Sequence, residues 1–364
     1  MAHPSAVSGR IAVRMLDGVA ARDEARRLWT ALEADLGGAP ALSCSWAWTE
    51  TWLDSFGAAV PHRFAVAEGA IALVTRAPAA FPRPRAWHLG TAGEPAGASV
   101  FVERNRLLAR PEARAPFAAA LVAELERERG WDRLRLDGLH ADDAALLLDA
   151  LGGPSPRVAV TVEQSPVADL QEGDDVLAQL SGSRRQRIRR SLRAFGELST
   201  EWAQTPQQGA EILDELIALH QQRWTAAGEP GAFADARYVA FHRALVARLL
   251  PRQQVALVRV RRAADGETVG CLYGLRDGDR LCFYQGGLRQ YDDNRLRAGV
   301  AGHIAFMRAC REHGLASYDF LAPATRYKSE LAAREETLSW IEVSRPAAWR
   351  LRLSDATRAL RARR

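Results

Sequence analysis

Lysine is nearly absent from this chain. Of 49 lysines and arginines among 364 residues, only Lys328 is a lysine. Cysteine is scarce too: Cys44, Cys271, Cys282 and Cys310 show no CxxC spacing and no neighbouring histidine pair. That argues against a disulfide framework and a zinc site, so no metal is expected. No apolar run approaches the roughly 20 residues of a spanning helix, so stable membrane insertion is not expected. The first fifteen residues carry no hydrophobic stretch of a secretory signal, which makes the cytoplasm the expected location. There is no Walker-type loop and no GxGxxG after a strand. The eight histidines are scattered, with no Ser–His–Asp constellation and no ligand spacing.

What is present is a globular composition, 48% hydrophobic and 26% charged, on a length suited to two domains of about 150–180 residues. The net charge of +5 favours a phosphate-bearing partner without choosing among coenzyme, nucleotide sugar and RNA; no DNA partner is expected. In the first half, the patterning predicts a helix over about 20–36 and a Trp-rich helix from Trp46 that closes at Gly57. A hairpin at Glu68-Gly69, a helix over about 112–129 stopped by Gly130 and a strand at Leu134–Leu136 follow. The second half repeats this order. Helices over about 206–226 and 235–250 precede strands at Val255–Val260 and Val269–Tyr273, and Asp277-Gly278 marks a hairpin turn. A helix over about 294–313 stops at Gly314, strands follow at Ser317–Leu321 and Leu338–Val343, and an Arg-rich helix from Arg350 ends the chain. The repetition indicates a duplicated α/β unit, with domains at 1–165 and 166–364.

Four segments could carry chemistry. The helix near Asn294 has Gly299 and Gly302 in its first turns, with Arg295 and Arg297 beside them. Such glycines either let a pyrophosphate approach the free N–H groups or admit a neighbouring strand. The hairpin at Asp277-Gly278 would set Tyr273 opposite Cys282 and Cys271 opposite Tyr284, and then runs into Gln285-Gly286-Gly287. Its polar face is either a semi-polar core or a place where a backbone N–H holds a carbonyl oxygen. Asp319, inside an apolar strand, is either a salt-bridged structural group or a proton acceptor, and the lone Lys328 follows on the loop after it. Finally, 184–193 holds six arginines, including Arg187 and Arg190, suited to a polyanion or to acidic partners in a domain interface.

Together these segments resemble a known family. The arginine run, Leu219-His220-Gln-Gln-Arg223-Trp224, Phe241-His242, Tyr284-Gln-Gly286-Gly287, the helix through Arg297-Ala-Gly299, and Tyr318–Leu321 followed by Tyr327-Lys328 are similar to the cellulose-biosynthesis-associated, acetyltransferase-like members of the GNAT superfamily. The opening Ser43–Trp52 with Phe56-Gly57 resembles that family too, so the likeness spans nearly the whole chain. The family is related to the Fem transferases, which use aminoacyl-tRNA and also have two GNAT-like halves.

The resemblance implies two tandem GNAT-like domains of α+β mixed-sheet type, the first degenerate. It implies transfer of an acyl group from acyl-CoA, acetyl-CoA foremost, to an amine of a small molecule or a sugar-linked cell-envelope or polysaccharide precursor. The coenzyme would rest on the helix holding Gly299, Val300 and Ala301, with Arg297 beside it. The usual signature opens with Gln or Arg; here Leu296 stands first. Gly286 would polarise the carbonyl, Asp319 or Tyr284 would handle the proton, and Lys328 would hold an anionic group. Arg187, Arg190, Trp224 and Tyr327 would bind substrate. A Fem-like transferase taking aminoacyl-tRNA, and an inactive GNAT pair serving as scaffold, are the alternatives.

Overall fold

The computed structural model describes residues 11–18, 20–346 and 348–351; from residue 352 on, the expected Arg-rich terminal helix lies outside them. The first run of elements is β1 (Arg14–Leu16), α1 (Ala21–Asp35), α2 (Trp46–Phe56), β2 (His62–Ala67), β3 (Ala70–Arg76), β4 (Ala86–Leu89), β5 (Leu108–Ala109), α3 (Arg114–Arg127), β6 (Arg133–His140), α4 (Ala141–Ala150) and β7 (Val158–Asp169). After α5 (Gly182–Phe195), the second run is β8 (Leu198–Trp202), α6 (Pro206–Ala226), α7 (Ala236–Leu249), β9 (Val255–Arg262), β10 (Thr268–Asp277), β11 (Arg280–Leu288), α8 (Ala298–Glu312), β12 (Ser317–Asp319), α9 (Arg326–Leu331) and β13 (Arg334–Ser344). Apart from the short β5, the second run repeats the first element for element.

The chain forms two compact units, residues 1–162 with 338–364, and residues 163–337. In the first, the strand order is β1-β2-β3-β4-β6-β13, with β4 and β6 parallel and the other neighbours antiparallel. In the second it is β7-β12-β11-β10-β9-β8, with β11 and β12 parallel and the rest antiparallel. Each sheet therefore takes its last strand from the other copy: Leu338–Ser344 pairs with β6, and Val167–Asp169 pairs with β12. A division at 165 with all later residues in the second domain is corrected accordingly. Residues from Leu338 on belong to the first unit, because Ile341 and Val343 bury their side chains in its core.

In the second unit, α8 lays Val300, Ile304 and Met307 on the Leu272 and Leu281 face of the sheet, all buried. Burying side chains of this size contributes about 1.5–3 kcal/mol each. On the other face, α6 starts from a capping box, with Thr205 and Gln208 satisfying each other's backbone N–H and Pro206 in the first turn. It crosses β11 at very close range. A Cβ on Gly287 would stand 2.2 Å from the Leu216 carbonyl oxygen, so only glycine fits there.

Candidate active site

The site of the second unit begins where two parallel strands part. Strand β12 pairs with β11 only along Arg280–Cys282, because β12 is three residues long. From Phe283 to Leu288, β11 has no strand neighbour on that side among the described residues. The hairpin to β10 turns on Gly278, at φ +63°, with Asp277 opposite Arg280. The register differs from the sequence expectation: Leu275 faces Cys282, Tyr273 faces Gln285, and Cys271 faces Gly287. The turn is centred one residue later than expected, and a bulge at Tyr284 adds one more step. The division of faces survives. Leu272 and Leu281 join the core under α8, while Tyr273 and Tyr284 meet His242 on the opposite side.

At the end of β11 the chain turns into α8, which opens at Ala298 rather than near Asn294. The Asp293 carboxylate accepts the Arg295 N–H at 2.9 Å, and the next amides bond within the turn, Arg297 N–H to the Arg295 oxygen and Ala298 N–H to the Leu296 oxygen, both at 3.1 Å. The Ala301 N–H reaches the Arg297 carbonyl at 3.0 Å. That leaves the amides of Gly299 and Val300 without a partner among the described residues. The two glycines have different reasons. A Cβ on Gly302 would press within 3.3 Å of Leu288, whereas one on Gly299 would meet nothing nearer than 3.6 Å. Gly302 admits a strand; protein packing does not demand glycine at 299.

Between this helix end, the free stretch of β11 and α6 lies a cavity of about 490 Å³. Phe283, Gln285 and Gly286 form its base, and His220, Arg223 and Trp224 its α6 wall. Arg297 and Gly299 stand opposite, His303 lies one turn further along α8, and Tyr327 closes the rim. No carboxylate lines it. Arg223 has no acidic partner among the described residues, so the wall is electropositive. Arg297 shares Glu330, at 3.3 Å, with Arg187 at 3.1 Å and Arg326 at 3.6 Å. Arg187 lines an open recess that shares Arg297 and Tyr327 with the cavity.

Gly286, Arg297, Gly299, Trp224 and Tyr327 thus meet at one cavity, and several other candidates do not. Asp319 is wholly buried. It is held by the Arg280 guanidinium at 2.9 Å, the Ser165 hydroxyl and the Leu321 N–H, which makes it a structural ion pair away from the cavity. Lys328 donates to the carbonyls of Leu321 at 2.8 Å and Pro323 at 3.1 Å; its ammonium ties a turn in which Leu321 sits at φ +59°. Tyr284 packs on the His242 side of β11 and is not among the lining residues. The side chain of Val300 points into the core, Ala301 is wholly buried with its N–H bonded, and Arg190 stays exposed on α5.

The structure also brings two histidines to the cavity that scattered spacing hid. The His303 Nδ1 lies 2.9 Å from the Tyr318 hydroxyl. Burial and then the nearby Lys328 charge push its pKa down to about 3. His220 is also pushed down, chiefly by burial. Both rings are neutral at neutral pH. Gly299 and His303 are four residues apart on one helix, a spacing that could have revealed the second. Among the described residues, no group of three or more His, Cys, Asp or Glu could hold a metal ion, and no helix is long and apolar enough to cross a membrane.

Residues 182–329 match the family model described as an acetyltransferase (GNAT) domain. This stretch is a GNAT-type acyltransferase domain. It includes the whole of β11, α8 and the cavity between them. Among solved structures, FemX matches with a TM-score of 0.56 at 12% identity, covering 90% of this chain and 96% of its own. The C-terminal domain of an Agrobacterium fabrum protein described as a lysylphosphatidylglycerol synthetase matches at 0.55 and 15%, covering 92% and 96%. L-PGS from Bacillus licheniformis matches at 0.54 and 14%, covering 90% and 96%. Identities this low speak for the fold alone, and the mixed α/β fold of the chain is GNAT-like. No curated protein matches the chain.

Proposed function

We propose that the chain transfers an acyl group from acyl-CoA, with acetyl-CoA the first candidate, to an amine of a small molecule or a sugar-linked envelope precursor in the cytoplasm. The observation that carries this reading is the stretch of β11 left free by β12, which lines a cavity that reaches Gly299, where the amides of Gly299 and Val300 have no partner among the described residues. A helix N-terminus offers N–H donors and the positive end of its dipole to a pyrophosphate. The open edge of β11 near Gly286 offers backbone donors to a carbonyl oxygen in the gap, where charge develops as an amine attacks. Arg223 and Arg297 hold anionic groups of donor or acceptor, and Trp224 and Tyr327 receive the acceptor at the rim. Asp319 and Lys328 take no part in this reading. The cellulose-biosynthesis association rests on the resemblance of the segments quoted above.

A second reading, a Fem-like transferase fed by aminoacyl-tRNA, is favoured by the exposed Arg189, Arg190 and Arg193 on α5, which suit a nucleic-acid backbone. Calorimetric titration of the full chain with acetyl-CoA, and separately with bulk tRNA, tests both. Micromolar acetyl-CoA binding that weakens about tenfold in Gly299→Val, at one RT-scaled step of about 1.4 kcal/mol, supports the first. Tight, strongly salt-dependent tRNA binding without acetyl-CoA binding would replace it with the second. Binding of neither would leave a scaffold.

A further inference from the structure

The carboxamide of Gln221 is fixed at both ends by backbone groups. Its Nε2 donates to the Pro230 carbonyl at 2.8 Å, and its Oε1 accepts the Phe233 N–H at 3.2 Å. Neither backbone group can exchange its role, so the orientation of the amide is settled. The His220 Nδ1 lies 3.2 Å from that same Oε1. An amide oxygen only accepts, so Nδ1 carries the proton and Nε2 of the neutral ring is a lone pair. No described residue meets Nε2, and the ring lines the cavity. Gly231, at φ +74°, lets the loop close over the amide: a Cβ there would stand 2.4 Å from Oε1.

We propose that His220 is the general base of acyl transfer, its Nε2 taking the proton of the attacking amine, and that Gln221 is the positioning residue that fixes its tautomer. The inference rests on the acyl-transfer reading above. The amine nitrogen forms a bond to the acyl carbon, the bond from that carbon to the donor's sulfur or oxygen breaks, and the proton passes through Nε2 to the departing atom. Elimination supports the assignment. The groups facing His220 are Arg223 on its own helix, Trp224 and Phe233 around the ring, and Arg289, Arg297, Tyr291 and Tyr327 across the cavity. None of these is a base near neutral pH. His303 is held by Tyr318 deep in the wall.

The test is steady-state acylation of a panel of small primary amines, with acetyl-CoA and with aminoacyl-tRNA as donors. His220→Gln should lower kcat at least 100-fold, the scale of general-base catalysis, with donor affinity unchanged. Gln221→Leu should lower kcat about tenfold. Gln221→Glu should restore it and move the acidic limb of the pH profile upward, because a carboxylate on Nδ1–H favours the imidazolium. Nitrogen-15 NMR of labelled histidines, with His220→Gln identifying the resonance, should show the Nδ1–H form in the parent chain and its loss in Gln221→Leu. Thermal melting separates a lost base from a lost fold, and residue 221, only half-buried, carries the test should His220→Gln unfold. Turnover untouched by His220→Gln, or an Nε2–H ring in the parent chain, overturns this role alone. A parent chain that uses neither donor overturns the acyl-transfer reading and the role with it.

Discussion

Two imidazoles in the second unit, His242 and His303, are buried without charge, and burial pushes each down to about 3. An exposed imidazole titrates near 6.5, so below that pH the unfolded chain binds more protons than the folded one. Stability is complete above about pH 6.5 and falls as the pH drops, by up to about 1.4 kcal/mol per unit for each ring. Urea unfolding between pH 7 and 4.5 should show this slope, and His242→Phe should remove about half of it. The lone lysine belongs to the same scale. Lys328→Ala strips two carbonyls of their donor and should lower stability by about 1–3 kcal/mol, while acetyl-CoA affinity stays within about twofold. Rarity in the sequence drew attention to Lys328, and the fold sets its ammonium on the Leu321 and Pro323 carbonyls. Whether an ammonium meets a ligand or a carbonyl is decided by backbone placement, which composition does not record. His220 stood in a quoted segment and drew no role there, because its meaning comes from Gln221, Pro230 and Phe233, which only folding assembles.

Among the elements, β11 and α8 make the site, and their glycines give opposite expectations. Gly287→Ala puts a methyl against the Leu216 carbonyl of α6 and should cost about 1–3 kcal/mol, read in urea unfolding. Gly299→Ala has room and gains helix propensity, up to about 1 kcal/mol, so its melting temperature should hold or rise while acetyl-CoA binding weakens severalfold. Among the described residues, sequence patterning located the helices over about 20–36, 112–129, 206–226 and 235–250 by apolar periodicity and the hairpins by turn residues, since both are local properties. It missed the start of α8 by four residues because Asp293 builds a tight turn that imitates a helix cap. It missed the β11 register because the turn sits one residue later than Asp277-Gly278 and the bulge at Tyr284 adds a second step, neither of which is marked in residue type.

At the scale of the whole molecule, the duplicated order of elements was legible and the ownership of the last strands was not, since pairing partners are set by tertiary contacts. Charge was legible as a sum and as local runs such as 184–193, but not as the lining of a cavity. The folded chain gathers Arg223, Arg289 and Arg297 around one cavity without a lining carboxylate, so acetyl-CoA binding should weaken severalfold between 50 and 300 mM salt, measured by calorimetry. The exchange of last strands also bears on synthesis. Ribosomes release a chain from its amino end, so β6 must wait as an open edge, a pairing hazard in itself, until Leu338–Ser344 emerges after the whole of segment 163–337. The later-made segment 163–337 already holds all its own strands by then. Nascent chains probed with protease should therefore show the second unit becoming resistant before the first, reversing the order in which the two were made.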